Sequence, residues 1–575
     1  MKLKKVYFDN FKSIDPQSYY FADWCFEDPK NLSLKNLNKI NKNLNKNYHW
    51  LNKTKLKRDQ KYLQKLTAEL FQSLVKKINL YHKSNYDYDY WKVIIFPWLV
   101  SVTDCIFDKW EMLKKIENKK KFQAITFQYK DEDFITRNYK DFSLSDKNFN
   151  LWIISKALEF KNNIKYSKKL KLKGLNKNLY LQRGFVKDKI YDFINFNKRK
   201  KKKFLFNNIG LNFRETLKLY LKLKSKPFFW TPIFYSSQKP NIKKRTDIFN
   251  YHLKDKKFLS FLQSILNIII PKSYLEDFNN IQHKLKKKYD IQKFDYIFTA
   301  TEYKKNDEFK IFVAEQILKG TKFICIQHGG TYGIVDFDRE LDIVYSISNK
   351  FLTTGWRDKQ LNVTPFTSLF LRNKLKRSRI KKFDVSIIYH AQTKIPYRLS
   401  GTVKTNYQRL KIMYNFKSLI NRLVKNHNYR ICFRYQKKIV SQFSNLNEKY
   451  FLNTVEFDRG EKNILKLYAN SKLIITDTLS TTFFECMIYN IPIIILIDKE
   501  FEIVNQRFKK IYISMKKNHL VFHDEKKLYS FLAKNFDFIE TLWKSKKVQE
   551  IRLDFKKNIA NNNIDITKFF KNFIK

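Results

Sequence analysis

Cysteine, glycine, proline and negative charge are all scarce in these 575 residues, and no long hydrophobic run is present. The five cysteines, Cys25, Cys105, Cys325, Cys432 and Cys486, stand alone, without a CxxC pair or a repeated spacing. That excludes a disulfide framework or a zinc site encoded by spacing, and it suits a reducing compartment. The longest uncharged apolar stretch, Phe258 to Pro271, is shorter than the roughly 20 residues that span a bilayer. Met1-Lys2-Leu3-Lys4-Lys5 leads to Asp9, Lys12 and Asp15 before any apolar segment develops, so no signal peptide is expected. A cytoplasmic location is the expectation. No GxxxxGKS/T loop and no GxGxxG fingerprint occurs.

What the chain does have is lysine and aromatic rings. Lys+Arg number 115 against 54 Asp+Glu, a formal charge of +61, while 53 Phe and 34 Tyr supply far more apolar surface than a disordered polybasic tail carries. The chain must fold, and its length suggests two to four domains. Lysine is spread over nearly every segment beside Asn, Ile, Phe and Tyr, the pattern of a compositional bias; dispersed charge governs solubility rather than a site. A nucleic-acid partner is therefore not expected, although a non-catalytic nucleic-acid-binding protein is the rival class. Two dense clusters, Lys198 to Lys203 and Arg372 to Lys382, are candidates for docking on an anionic inner-membrane surface.

Periodicity divides the chain. Leu37, Ile40, Leu44 and Leu51, then Leu63, Leu66, Leu70, Leu74 and Ile78, recur at helical spacing and predict two antiparallel helices. The block from Tyr90-Trp91 to Pro97-Trp98-Leu99 follows, and Pro97 argues against an uninterrupted helix there. Residues 120 to 285 give no readable topology. From 294 onward strands and helices alternate: strand Phe294 to Thr299, helix Asp307 to Leu318, strand Phe323 to Ile326. A second series follows the basic stretch: Val385 to Tyr389, Asn406 to Lys425, Arg430 to Arg434, Lys462 to Ala469, Leu473 to Thr476, Thr481 to Tyr489 and Ile491 to Ile497. This predicts an α/β protein with parallel, doubly wound sheets. The expected division is a helical N-terminal part over 1–115, a Rossmann-like acceptor domain over 116–365, a basic linker over 366–382, a Rossmann-like nucleotide-donor domain over 383–538, and a C-terminal helical segment over 539–575 that packs back across the linker.

Two segments carry candidate chemistry. Five of the ten glycines, Gly320, Gly329, Gly330, Gly333 and Gly355, fall within 320 to 355. They gather backbone freedom where a strand must turn and expose its amides. In Gln327-His328-Gly329-Gly330-Thr331-Tyr332-Gly333 the histidine stands at a strand's carboxyl end, where it suits a general base taking a hydroxyl proton; orienting the loop is the plainer alternative. Gln327, Gly329, Gly330 and Tyr332 would bind the acceptor. The second segment runs Thr476-Asp477-Thr478-Leu479-Ser480-Thr481-Thr482-Phe483-Phe484-Glu485, a strand entering a helix through a hydroxyl-rich turn, which suits a phosphate cradle. Thr478, Ser480, Thr481 and Thr482 would hold the donor phosphate together with Arg434, Arg398 and His390. Glu485 would take the ribose hydroxyls, unless it closes a capping box with Thr481 or Thr482. Asp87-Tyr88-Asp89 and Asp336-Phe337-Asp338 spell DxD, but neither follows a clear buried strand, and a metal-free site without cofactor is expected.

The ordered blocks Tyr90-Trp91 to Pro97-Trp98-Leu99, Gln327-His328-Gly329-Gly330 with Tyr332-Gly333, Thr354-Gly355-Trp356, Leu479-Ser480-Thr481-Thr482 with Glu485, Asn490-Ile491-Pro492, and Leu542-Trp543 with Val548-Gln549-Glu550 resemble a family of transferases from bacterial surface-polysaccharide and lipopolysaccharide gene clusters. Phe96 departs from the usual spelling, in which glycine precedes the proline. The resemblance implies a GT-B-like glycosyltransferase of two Rossmann domains. It would take a nucleotide-sugar as co-substrate and deliver the sugar, with inversion, to a hydroxyl of a glycan or lipid-linked acceptor. The Gln-His-Gly loop is also similar to that of polyglycerol- and polyribitol-phosphate transferases, which keeps a CDP-glycerol-type donor open.

Overall fold

The computed structural model of the chain describes residues 4–7, 19–25, 48–117, 122–141, 143–161, 165–175, 185–195, 202–249, 257–289, 293–336, 338–360, 362–369, 375, 377–390, 395–396, 406–435, 451–499 and 504–573. Its strands fall into three sheets in which every paired strand is parallel. The first contains β1 (Lys4–Tyr7), β2 (Tyr19–Tyr20), β3 (Phe122–Gln128) and β4 (Lys165–Lys171), in the order β2-β1-β3-β4. The second contains β5 (Lys202–Asn207), β6 (Phe294–Thr299), β7 (Lys322–Ile326), β8 (Lys350–Thr353) and β9 (Val363–Pro365), in chain order. The third contains β10 (Phe383–Ile388), β11 (Ile431–Arg434), β12 (Glu456–Asp458), β13 (Ser471–Thr476), β14 (Ile493–Leu496) and β15 (Val521–Phe522). Its order is β12-β11-β10-β13-β14-β15, the 3-2-1-4-5-6 arrangement of a Rossmann sheet.

These elements form where the sequence leaves little choice. β13 and β14 read Ser-Lys-Leu-Ile-Ile-Thr and Ile-Ile-Ile-Leu, near-continuous branched runs that are buried throughout β14, as a parallel strand covered on both faces must be. The order of the third sheet reverses at β10 and β13. Register there sets Ile388 beside both Arg434 and Thr476, so the residues that follow these three strands open onto one crevice.

The N-terminal part differs from its sequence reading in two ways. It contributes β1 and β2 as well as helices, and the helical hairpin is made of Lys53–His82 and Tyr88–Glu117. Leu37, Ile40 and Leu44 lie outside the described residues. The aromatic block is thus the second arm of the hairpin, and its helix runs unbroken through Pro97. An interior proline costs about 3 kcal/mol. Burial of Trp91, Ile94, Ile95, Trp98 and Leu99 on the same stretch, at about 1.5–3 kcal/mol for each large side chain, outweighs it. The span Tyr88–Lys114 is long and apolar enough to cross a membrane, yet 89% of its apolar 18-residue window is buried within the protein. It carries the ion pair of Asp104 with Arg339 at 3.1 Å, so it is a core helix.

The chain end joins the two larger sheets. Phe555, on helix Lys546–Asn558, packs against Phe483, Phe484 and Phe508 of the third sheet's helices. Phe570, on helix Ile566–Phe573, packs on Phe206 and Phe298 of the second sheet. Between them the Asn561 amide donates to the Thr354 carbonyl at 2.7 Å. With its parallel sheets and covering helices, the chain has an α/β fold.

Candidate functional site

β7 delivers Gln327 and His328 to the carboxyl edge of the second sheet. Gln327 turns inward. Its carbonyl oxygen accepts from the Trp356 indole at 2.7 Å and the Thr354 amide at 3.1 Å, and its amide donates to the Gly329 carbonyl at 2.9 Å. The side chain predicted to bind acceptor is thereby engaged in clamping the glycine loop to the turn after β8. Tyr332 is also buried, its ring set edge-on to Phe351. His328 faces solvent at the strand end. Although its ring reaches water, the atoms packed around it and the charge of Lys304 hold its imidazole below the usual histidine value, with Glu340 pulling the other way. Glu340 accepts from the Tyr303 phenol at 2.9 Å and pairs with Lys304 at 2.5 Å.

The glycines bring the two predicted segments together. A Cβ on Gly329 would meet Thr481 Oγ1 at 3.6 Å, and one on Gly330 would stand 2.7 Å from Phe484 and 3.0 Å from the Ser480 carbonyl carbon. The loop after β7 is therefore seated on the first turn of helix Thr481–Tyr489. Only a residue without a side chain permits that approach at Gly330. A latch beside it extends the contact: the Asn505 amide donates to the Ile334 carbonyl at 2.8 Å, and Arg507 reaches Asp358 at 2.6 Å while lying over the Trp356 ring.

On the third sheet, the His390 amide donates to the buried Asp477 carboxylate at 2.9 Å and so bridges the crevice between β10 and β13. Ser480 is the N-cap of its helix, but its hydroxyl pairs with that of Thr478 at 2.8 Å instead of capping. Thr481 is exposed and Thr482 half-buried at the helix start. Glu485 forms no capping box; it accepts from the Tyr468 phenol at 2.5 Å. Burial pushes its carboxyl above the usual carboxylate range, against the pull of Tyr468 and the Arg434 charge. Arg434 ends β11 with its Nη1 donating to the buried Asp458 carboxylate and, at 2.9 Å, to the Lys462 carbonyl. Arg398 lies outside the described residues.

Thus Gly329 and Gly330, which follow His328 in the chain, meet Ser480 and Thr481, with Thr482 and Glu485 on the same helix; Gln327 and Tyr332 support the loop from within. Glu340, Asp458, Tyr468 and Asp477 escaped the sequence reading. Their partners lie at separations from 17 residues for Tyr468–Glu485 to 87 for His390–Asp477, which no local pattern encodes. The DxD pairs have structural partners: Asp87 accepts from the Tyr90 amide, Asp338 caps helix Arg339–Ile347, and Asp336 accepts from the side chain of Asn505, far along the chain. Among the described residues no three His, Cys, Asp or Glu side chains cluster as metal ligands.

No curated protein sequence matches the chain. Among solved structures, the wall teichoic acid polymerase TagF is similar at 12% identity and a TM-score of 0.32, over 67% of this chain and 91% of that one. UDP-GlcNAc 2-epimerase from Neisseria meningitidis aligns at 12% identity and a TM-score of 0.34, over 65% and 99%. The spinosyn forosaminyltransferase SpnP aligns at 10% identity and a TM-score of 0.30, over 65% and 100%. One family profile, that of the LIC12162 family transferases, matches residues 10–574, nearly the whole sequence. The chain is a transferase and belongs to the LIC12162 family.

Proposed function

We propose that the protein transfers a sugar from a nucleotide-activated donor to a hydroxyl of a cell-surface polysaccharide or lipopolysaccharide precursor, with inversion and without a metal ion. The observation that supports this reading is the seating of the Gly329–Gly330 loop on the Ser480–Thr481 helix start, which brings the segment that follows His328 against the hydroxyl-rich turn. A depressed imidazole is neutral at pH 7 and ready to accept a proton. In the transfer, His328 takes the proton of the acceptor hydroxyl as its oxygen bonds to the anomeric carbon. The bond from that carbon to the donor phosphate breaks, and the electron pair leaves on the nucleoside diphosphate. First-turn amides of helix Thr481–Tyr489 with Ser480, Thr481 and Thr482 receive that charge; the helix dipole supplies only about 0.3–1 kcal/mol, so direct hydrogen bonds do most of the work. Glu485, one turn further on, would take the ribose hydroxyls in exchange for its bond from Tyr468.

The decisive experiment combines a thermal-shift screen of CMP-, UDP-, GDP- and CDP-linked sugars and CDP-glycerol with turnover of the protecting donor. Sugar transfer that vanishes in His328→Ala, with nucleotide protection retained, is the expected outcome. Protection and turnover with CDP-glycerol alone would replace glycosyl transfer by polyol-phosphate transfer. Full turnover in the variant would remove His328 from the chemistry.

A further inference from the structure

The amino edge of the third sheet, opposite the cleft, has its own cavity of about 640 Å³. Leu473, Pro492, Phe531, Ile539, Leu542 and Trp543 wall it. The Trp543 indole is satisfied by Asn490 at 2.8 Å, which leaves an apolar ring surface toward the space. At the rim stand Lys517, His519 and Lys534, all exposed, and the two lysines form no ion pair among the described residues. Residues 526–549 hold six lysines, Lys526, Lys527, Lys534, Lys544, Lys546 and Lys547, against Asp537 and Glu540. Glu540 is already paired with Arg377 at 3.0 Å.

That ion pair, with the Arg377 bond to the Ser471 carbonyl, fixes the basic segment 377–382 beside the same edge. The segment presents Ile380, 84% exposed, next to Arg379. Phe538 and Leu542, 65% and 39% exposed, lie one helical turn apart, the Leu542 amide donating to the Phe538 carbonyl. Water solvates such side chains poorly, and among the described residues they remain exposed.

We propose that this edge docks the protein on an anionic lipid bilayer, with Ile380, Phe538 and Leu542 entering the interfacial layer, the lysines facing phosphate headgroups, and the cavity admitting an acyl chain. Lysines alone would serve a nucleic acid equally well, and an apolar cleft alone would serve a protein. Exposed apolar side chains beside Lys517 and Lys534, which form no ion pair among the described residues, around a cavity with apolar walls and a polar rim, match the layered chemistry of a membrane surface. The inference does not depend on which group the enzyme transfers.

Sedimentation of the full chain with phosphatidylcholine vesicles, with and without a one-third share of phosphatidylglycerol, tests it. Binding to the anionic vesicles only is expected. Lys517→Glu with Lys534→Glu should lower partitioning about tenfold or more, because each basic residue near the surface carries a several-fold effect. Phe538→Ser with Leu542→Ser should abolish the fraction that stays bound in high salt. Lys61→Glu with Lys76→Glu, the same charge change on the exposed side of helix Lys53–His82, should leave partitioning within about twofold. Unchanged unfolding midpoints certify that each pair folds, with Lys517→Gln and Lys534→Gln as the milder replacement. An equal fall in the Lys61/Lys76 pair would overturn the proposal by reducing it to net charge. Equal binding to neutral vesicles, or displacement of vesicles by a single-stranded oligonucleotide, would overturn it as well.

Discussion

Gly330 lies against Phe484 with no room between them: a Cβ on the glycine would stand 2.7 Å from the Phe484 ring. The contact joins the loop after β7 to the helix after β13, and its backbone does not need a positive φ. Gly330→Ala is therefore tolerated by the chain locally and strained only where the two sheets meet. A destabilisation of about 1–3 kcal/mol is expected from overpacking, read as a lower denaturant midpoint, with turnover falling more than stability. An unchanged midpoint and rate would show that the loop does not rest on this helix in solution.

His328 sets the acidic limb of the rate profile if it is the base. Its imidazole is held below the ordinary value of 6.5, so activity should rise with pH through a midpoint below that figure and be level at pH 7. Removing Lys304, as in Lys304→Met, takes away one cause of the depression and should move the limb upward. A limb that stays in place in Lys304→Met would separate the two residues.

Gln327→Ala leaves the Trp356 indole and the Thr354 amide without their shared acceptor inside the protein. Each buried orphan costs about 1–3 kcal/mol. The expected result is lower stability with a reduced kcat and little change in the KM for donor, since the residue holds the loop and not the nucleotide. A selective rise in acceptor KM would return Gln327 to the binding surface.

Arg434→Ala alone is a poor test of phosphate binding, because it strands the buried Asp458 carboxylate at a cost of about 3–5 kcal/mol. Arg434→Ala combined with Asp458→Asn removes that penalty. Recovered stability with nucleotide protection still absent is the outcome expected of a donor-phosphate ligand. Protection that returns along with stability would make Arg434 a structural partner of Asp458.

His82 reports on the fold itself. Burial lowers its imidazole to about 4, although its donation to the Tyr274 carbonyl at 2.9 Å works in the opposite direction. A depressed histidine contributes stability above its unfolded value near 6.5 and loses it as pH falls toward 4. The loss amounts to up to about 3 kcal/mol, and His82→Gln should flatten that part of the stability profile. Equal slopes in both proteins between pH 6.5 and 4 would contradict the buried neutral ring.

Legibility followed the range of the interactions. Phe294–Thr299, Asp307–Leu318 and Thr481–Tyr489 form over the residues their periodicity predicts, because burial on one or two faces writes itself into consecutive positions. β12 and β15, three and two residues long, are too short to show a period. β1 pairs with β3 across more than a hundred residues, so neither pattern announces the sheet. Pro97 misleads because the local rule is sound and the surrounding burial overrides it. Glycine concentration and the hydroxyl-rich turn point to two loops that the structure brings into contact. Which side chains face outward depends on partners such as Trp356 for Gln327, 29 residues downstream, and on Asp458 for Arg434.

Phe570 has a consequence for synthesis. It covers Phe206 and Phe298, yet about 270 residues of chain separate it from Phe298. At roughly 5–20 residues per second, the aromatic face of the second sheet waits on the order of 15–50 s on the ribosome for its cover. Until that interval ends, Phe206 and Phe298 lack the ring that closes over them from the far end of the chain.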